Sequence, residues 1–202
     1  MPKITKCPES LSQIRSRLRA LGHLRRDELS VQERRLFSQL ACAHIVHYLE
    51  QIVEDFSQTV LAGYWPILSE IDPRPLFDFV LSRGGHLALP AVIDSTRMVF
   101  RAFSATTPLE PMRFGTFGPG ANQRVINPSI VIVPLSAFDN QCHRLGYGKG
   151  YYDRAIKNLQ KSGHHARLLG LGFSCQKVES IPCTDHDLIV EGVFTEKGFF
   201  KC

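Results

Sequence analysis

Polar and apolar positions along this 202-residue chain follow two rhythms, one expected of helices and one of strands. Residues 11–28 have helical composition. Ser30-Val31-Gln32-Glu33 then takes the S-x-x-E form of a capping box, in which a serine hydroxyl and a glutamate satisfy free amide donors. Leu36, Leu40, Ala43 and Val46 recur at helical spacing and predict a second helix packed inward on that stripe. TVLAGYWPI (Thr59–Ile67) is an apolar run of strand length closed by Pro66. Asp72-Pro73 opens a short helix through about Ser82, which Gly84-Gly85 ends. HLALPAV and MVFRAF are two further strands, joined by Asp94-Ser95-Thr96. Gly, Pro and Asn dominate Thr106–Pro128 and predict a long loop of the kind that serves a binding site. SIVIVPL (Ser129–Leu135) is nearly all β-branched, as expected of a central strand covered on both faces. A helix from Tyr151 to about Lys161 follows, and RLLGLGFS and LIVEGVFTE supply the last strands. This alternation predicts an α/β fold, a single domain over residues 1–202 with a mostly parallel central sheet flanked by helices.

Composition narrows the class. The hydrophobic content of 44% supports a substantial core, which argues against a disordered or disulfide-dependent protein. Six scattered cysteines without a C-x-x-C pair read as reduced thiols of a cytoplasmic protein. The N-terminal MPKITKCPES has no apolar core of signal-peptide length, and no run of 18 apolar residues exists, so no membrane partner is expected. The net charge of +5 is local: seven arginines between Arg15 and Arg35 stand against Asp27, Glu28 and Glu33. Such a helix suits nucleic acid, a membrane surface, a polyphosphate ligand or plain solvation.

The densest chemistry lies in RLGYGKGYYDR, Arg144 to Arg154. Its glycines are spaced G-x-G-x-G, so it matches neither the dinucleotide fingerprint nor Walker A. The physics of phosphate binding survives. Successive glycine amides can form one concavity, and the following helix start adds about half a positive charge. Arg144 can fork onto a phosphate, and Lys149 supplies a mobile point charge. Asp153 either complements the helix dipole or shares a Mg²⁺ ion with phosphate oxygens.

This run, preceded by VPLSAFD (Val133–Asp139), resembles the signature of the 5-formyltetrahydrofolate cyclo-ligase family, also called methenyltetrahydrofolate synthetase. Pro182, His186-Asp187 and Thr195-Glu196 are similar to its C-terminal pattern. Trp65-Pro66 to Glu70, Phe114-Gly115 to Pro119 and Arg15-x-x-Leu-Arg19 agree more loosely. The resemblance implies a NagB/RpiA/CoA-transferase-like fold. It also implies ATP- and Mg²⁺-dependent closure of 5-formyltetrahydrofolate to 5,10-methenyltetrahydrofolate, with release of ADP and phosphate. By the same resemblance, Arg15, Arg19 and the run Arg144, Leu145, Gly146, Tyr147, Gly148, Lys149, Gly150, Tyr151 and Tyr152 would bind ATP. Arg144, Lys149 and Tyr152 would serve the phosphoryl step, and Asp153 with Asp187 would bind Mg²⁺. Trp65, Glu70 and Phe114 would meet the folate, with Tyr147 to Tyr151 bordering it. The partners are then a reduced folate and ATP on a monomer, not nucleic acid.

Three positions depart from the family pattern. Arg15 replaces a lysine, Cys142 stands where glycine is common, and Gly118 where many relatives carry an acid. Plainer roles stay open for several residues: Glu70 as a cap of the helix after Asp72, Trp65 and Phe114 as core aromatics, Asp187 as a loop cap, and Cys183 as packing. His164-His165 suits a helix end rather than a metal site. Two rival readings differ in class: a non-catalytic nucleotide- or RNA-binding relative, and an enzyme that places another substrate beside the same phosphate site.

Overall fold

Period-two alternation in one central strand sets the layers. The computed structural model describes residues 9–184 and 187–201. In chain order, α1 (Leu11–Asp27) and α2 (Val31–Ile52) precede β1 (Val60–Ala62), α3 (Arg74–Ser82), β2 (His86–Val92) and β3 (Met98–Phe103). A hairpin of β4 (Leu109–Pro111) and β5 (Phe117–Pro119) leads to β6 (Ile130–Pro134). The short pair β7 (Ala137–Phe138) and β8 (Arg144–Leu145) leads into α4 (Tyr151–Lys161). Then come β9 (Arg167–Leu171), β10 (Gly192–Thr195) and β11 (Gly198–Lys201).

Seven of these strands form one sheet in the order β11-β10-β9-β6-β1-β2-β3. Its interior pairings are parallel, and antiparallel β3 and β11 close the two edges. The prediction of a mostly parallel sheet flanked by helices therefore holds. In β6, Ile130 and Ile132 face the core under α2 and α3, whereas Val131 and Val133 face the core that holds Ala155 and Ile156 of α4. Each such buried aliphatic contributes about 1.5–3 kcal/mol. α1 closes a smaller cluster of Leu18, Ala137, Leu145, Val178 and Ile181. It comes so close that a Cβ on Gly22 would lie 1.8 Å from the Ser136 carbonyl oxygen.

Several expectations need correction. The Thr59–Ile67 run is a strand only over Val60–Ala62, because Gly63 packs against the Phe77 ring and the chain turns away. The last predicted strand begins at Gly192 rather than Leu188, and β11 was not foreseen. Thr106–Pro128 is not a featureless loop, since it holds the β4–β5 hairpin. The predicted inward stripe of α2 holds only at Val46, which packs against the core, whereas Leu36 and Leu40 are 52% and 41% exposed. α2 instead buries Ser38, Ala41, Cys42, Ile45 and Leu49. Apolar residues run along two of its stripes, and in its N-terminal half the small Ser38, Ala41 and Cys42 take the core because they let the backbone approach. Ser38 is satisfied there, donating to the Arg34 carbonyl (2.7 Å) and accepting from the Asp72 amide (3.0 Å). Reduced thiols throughout is also corrected, for Cys142 is disulfide-bonded. Cys42, Cys175 and Cys183 are free.

The topology picks out one place for a ligand. From β1 the chain proceeds to β2 on one side, and from β6 to β9 on the other. The helices after β1 and β6, α3 and α4, lie on opposite faces. The crevice beyond the carboxyl ends of neighbouring β1 and β6 is thus a topological switch point, where open α/β sheets bind ligands.

Candidate active site

The turn Gly146–Gly150 runs from β8 into α4 at this crevice. Gly148 (φ 87°) and Gly150 (φ 65°) take left-handed conformations, which cost L residues with a Cβ roughly 1–2 kcal/mol. α4 starts on Gly150 with no side-chain cap. The first-turn amides of a helix have no intrahelical acceptor, and among the described residues no hydroxyl or carboxylate covers them here. Arg144, only 6% exposed, reaches under the turn and donates from Nη2 to Asp153 Oδ1 at 3.1 Å. Leu145 points into the α1 core, so only its backbone faces the turn. The Lys149 ammonium lies 5.2 Å from the Phe114 ring centre.

Arginines of α1 close this turn from the other side. Arg15, Arg19 and Arg26 fall on one helix face with Gly22. Arg15 Nη2 pairs with Asp187 Oδ1 at 2.5 Å, and Arg19 Nε donates to the Gly146 carbonyl at 2.8 Å. Arg26 is fully buried, donating from Nε to Ser69 Oγ (2.9 Å) and from Nη2 to Tyr147 Oη (3.2 Å). Arg25 donates to the carbonyls of Cys175 and Lys177. The basic segment thus turns much of its charge inward, toward the site rather than toward an external polyanion. Arg26 went unrecognised in the sequence, although the Arg15–Arg19–Gly22–Arg26 spacing was there to be read.

The segments that carry the two acids meet along this wall. Asp153 Oδ1 also accepts from the Leu188 amide at 3.2 Å, which brings the residue after Asp187 against it. Asp187 Oδ2 accepts from the Thr184 amide (2.8 Å) and hydroxyl (3.1 Å). Desolvation would push the Asp187 carboxyl up, but Arg15 and the Thr184 amide outweigh it and hold it below the usual carboxylate range. His186 lies outside the described residues. Among the described residues, four buried side-chain polar atoms have no partner: Nε of Arg15, Arg101 and Arg144, and the Tyr152 hydroxyl. Three of these four belong to residues of this wall.

Beside the turn lies a cavity of about 290 Å³ lined by Trp65, Pro66, Ile67, Leu68, Phe114, Gly115 and Phe117. Phe114 caps it at φ 62°, 6.1 Å from the Tyr151 ring, so the β4–β5 hairpin closes onto the glycine turn. Trp65 is held between the Arg74 guanidinium (5.0 Å) and Phe103 (6.2 Å), half in the core and half in the cavity. Glu70 does not cap α3, which has no side-chain cap. It accepts from the Ile67 amide at 2.9 Å. Desolvation pushes its carboxyl up, opposed by the Ile67 amide and by Arg26. Burial and Glu70 likewise push the Tyr152 phenol well up, so it stays neutral. A larger hollow of about 420 Å³ along α2 and Pro75 shares no lining residue with this site.

A cationic turn, two acids on nearby segments and an adjoining aromatic cavity thus share one end of the sheet, and comparison with known proteins decides the family. A family model described as the 5-formyltetrahydrofolate cyclo-ligase family matches residues 9–196. The chain belongs to that family. Its cyclo-ligase relatives include the 5-formyltetrahydrofolate cyclo-ligase of Haemophilus influenzae, 28% identical over 180 residues, covering 86% of this chain and 90% of that one. The Escherichia coli K12 protein of the same name is 27% identical over 177 residues, covering 85% and 94%. The solved 5,10-methenyltetrahydrofolate synthetase of Aquifex aeolicus superposes with a TM-score of 0.73 at 29% identity, covering 93% and 92%.

Two departures from the cyclo-ligase pattern now have a structural account. Cys142 takes φ 58°, so the turn keeps a glycine-like hand despite its side chain. Gly118 lies against β2, where a Cβ would stand 2.4 Å from the Pro90 carbonyl oxygen, so an acid has no room on this backbone. The donor set also bears on metal. No cluster of three or more His, Cys, Asp or Glu exists among the described residues. Asp153 and Asp187 are donors of the type that suits a Mg²⁺ ion taking its other ligands from phosphates and water, and do not make a dedicated cage.

Proposed function

We propose that this protein cyclises 5-formyltetrahydrofolate to 5,10-methenyltetrahydrofolate at the expense of ATP, through phosphorylation of the formyl oxygen. The observation that carries this reading is the uncapped start of α4, ringed by Arg144, Lys149, Arg15 and Arg19 and opening beside the aromatic cavity. A triphosphate tail on the bare amides would supply acceptors that the fold itself withholds. The orphaned Nε of Arg15 and Arg144 would find partners in its oxygens.

A formyl amide oxygen is a poor leaving group. Attack by that oxygen on the γ-phosphorus transfers the phosphoryl group and releases ADP. The neighbouring folate nitrogen then attacks the activated carbon, and phosphate departs. Neither step needs a protein nucleophile; both need alignment and neutralised charge. Lys149 and Arg144 would balance charge on the transferring group, with the Tyr152 hydroxyl a neutral donor within the same wall. Asp153 and Asp187 would hold Mg²⁺, which neutralises phosphate charge when bound. Glu70 would accept hydrogen bonds from the pterin, and Trp65 and Phe114 would cover its faces, at about 0.5–1.5 kcal/mol per aromatic contact beyond burial.

The test mixes the protein with 5-formyltetrahydrofolate and Mg-ATP and follows the methenyl chromophore, with controls lacking ATP or metal. Chromophore formation that needs both is expected. Its absence with folded protein would defeat the proposal. The RNA-binding alternative loses its main support, since Arg15, Arg19, Arg25 and Arg26 are engaged inside the protein.

A further inference from the structure

Arg26 is a fully buried guanidinium that the phosphoryl chemistry does not use. Burying a cation is costly unless its surroundings exploit it. Its Nε is fixed by Ser69, whose hydroxyl in turn donates to Asp27, and Ser69 directly precedes Glu70. Its Nη2 donates to the hydroxyl of Tyr147, which stands in the glycine turn beside Gly146. One side chain of α1 therefore ties the turn that carries Glu70 to the glycine turn of the phosphate side.

We propose that Arg26 is a positioning residue for the folate: through Ser69 it holds the turn that aims Glu70, and it fixes the Tyr147 ring, without touching either substrate. This rests on the folate reading given above. The groups facing Glu70 are Arg26, the Ile67 amide and the phenols of Tyr64, Tyr147 and Tyr152. Burial pushes each of these phenols up, so they face Glu70 as neutral groups. Among the described residues, Arg26 is the cation that opposes the desolvation of Glu70. Pterin N–H donors need a carboxylate acceptor. Without Arg26, Glu70 would hold its proton to higher pH and accept hydrogen bonds from the pterin less well.

The test measures binding of 5-formyltetrahydrofolate and, separately, of Mg-ATP by calorimetry between pH 6 and pH 9. It compares the full-length protein, Arg26→Gln and Arg26→Lys, each checked for a cooperative melt. Arg26→Gln is expected to bind the folate about tenfold more weakly at pH 7 and to regain affinity as pH rises, with ATP affinity within twofold. Arg26→Lys, which keeps the charge, is expected to stay within about threefold with a flat profile, and it decides the matter alone if Arg26→Gln does not fold. Folate affinity unchanged in Arg26→Gln, or weakened equally at every pH, would overturn the proposal, as would a folded Arg26→Lys with a tenfold loss. An unaltered protein that fails to bind the folate would instead overturn the folate reading itself.

Discussion

The starts of α2 and α4 solve one problem in opposite ways. At α2, the Ser30 hydroxyl accepts from the Glu33 amide (3.2 Å) and the Glu33 carboxylate accepts from the Ser30 amide (2.8 Å). α1 opens on the same reciprocal arrangement between Ser10 and Gln13. Both helices meet their own donors from within. α4 opens on a left-handed glycine with no cap, and the residues around it are cations with unpartnered nitrogens. α3 also lacks a side-chain cap at Pro73, but the Asp72 carboxylate accepts from its Arg74 amide (2.9 Å). α4, at a sheet switch point, has no such partner among the described residues, which marks where the fold expects an outside acceptor.

That contrast is best broken at Lys149. Its loss removes a charged partner of the proposed phosphates worth about 1.5–3 kcal/mol, so Lys149→Ala should lower kcat/KM at least about tenfold. Its thermal midpoint should not move, because among the described residues the ammonium meets only the exposed Phe114 ring. Near-native turnover would show that the bare amides do not need it. Next in size is Asp187→Asn, which should raise the Mg²⁺ concentration for half-maximal turnover about tenfold. A Mg²⁺ titration superimposable on that of the unaltered protein would remove Asp187 from the metal site and leave it as Arg15's partner alone.

Ser30→Ala is the mirror experiment at the closed helix start. Losing this cap should cost about 1 kcal/mol of stability and leave turnover unchanged, as measured by denaturant midpoint and initial rate. A turnover loss comparable to that of Lys149→Ala would erase the distinction between the two helix starts.

How much of this contrast could be read from the chain differs between its two halves. The α2 box was legible because Ser30 and Glu33 act on each other within one turn. The glycine turn was legible as a cluster, since its cations and glycines are consecutive. Arg26 was not, because its meaning lies in Ser69 and Tyr147, residues distant in sequence. The inward face of α2 was misread for a related reason. Leu36 and Leu40 are larger and more apolar than Ser38 and Ala41, yet close packing against α3 and the sheet favours the small side chains. Local pattern gave element type and the turn. Which face packs inward, and which cation is structural, depends on partners that only the fold assembles.

The smallest effect separates the two starts by pH. Hydrogen bonds from Ser30, side chain first and then backbone, hold the Glu33 carboxyl below its usual value of 4.5 in the folded protein. A folded pKa below the unfolded one means that the ionised capping box contributes its full stability above about pH 4.5. That contribution fades as pH falls through the lowered value. Glu33→Gln keeps a capping-box side chain that does not titrate. The melting temperatures of the unaltered protein and Glu33→Gln should therefore differ by a small amount at pH 7, the unaltered protein being higher, and converge near pH 3. A gap that stays constant across this range would mean that the charge on Glu33 adds nothing to its hydrogen bond, and that α2 is closed by geometry alone.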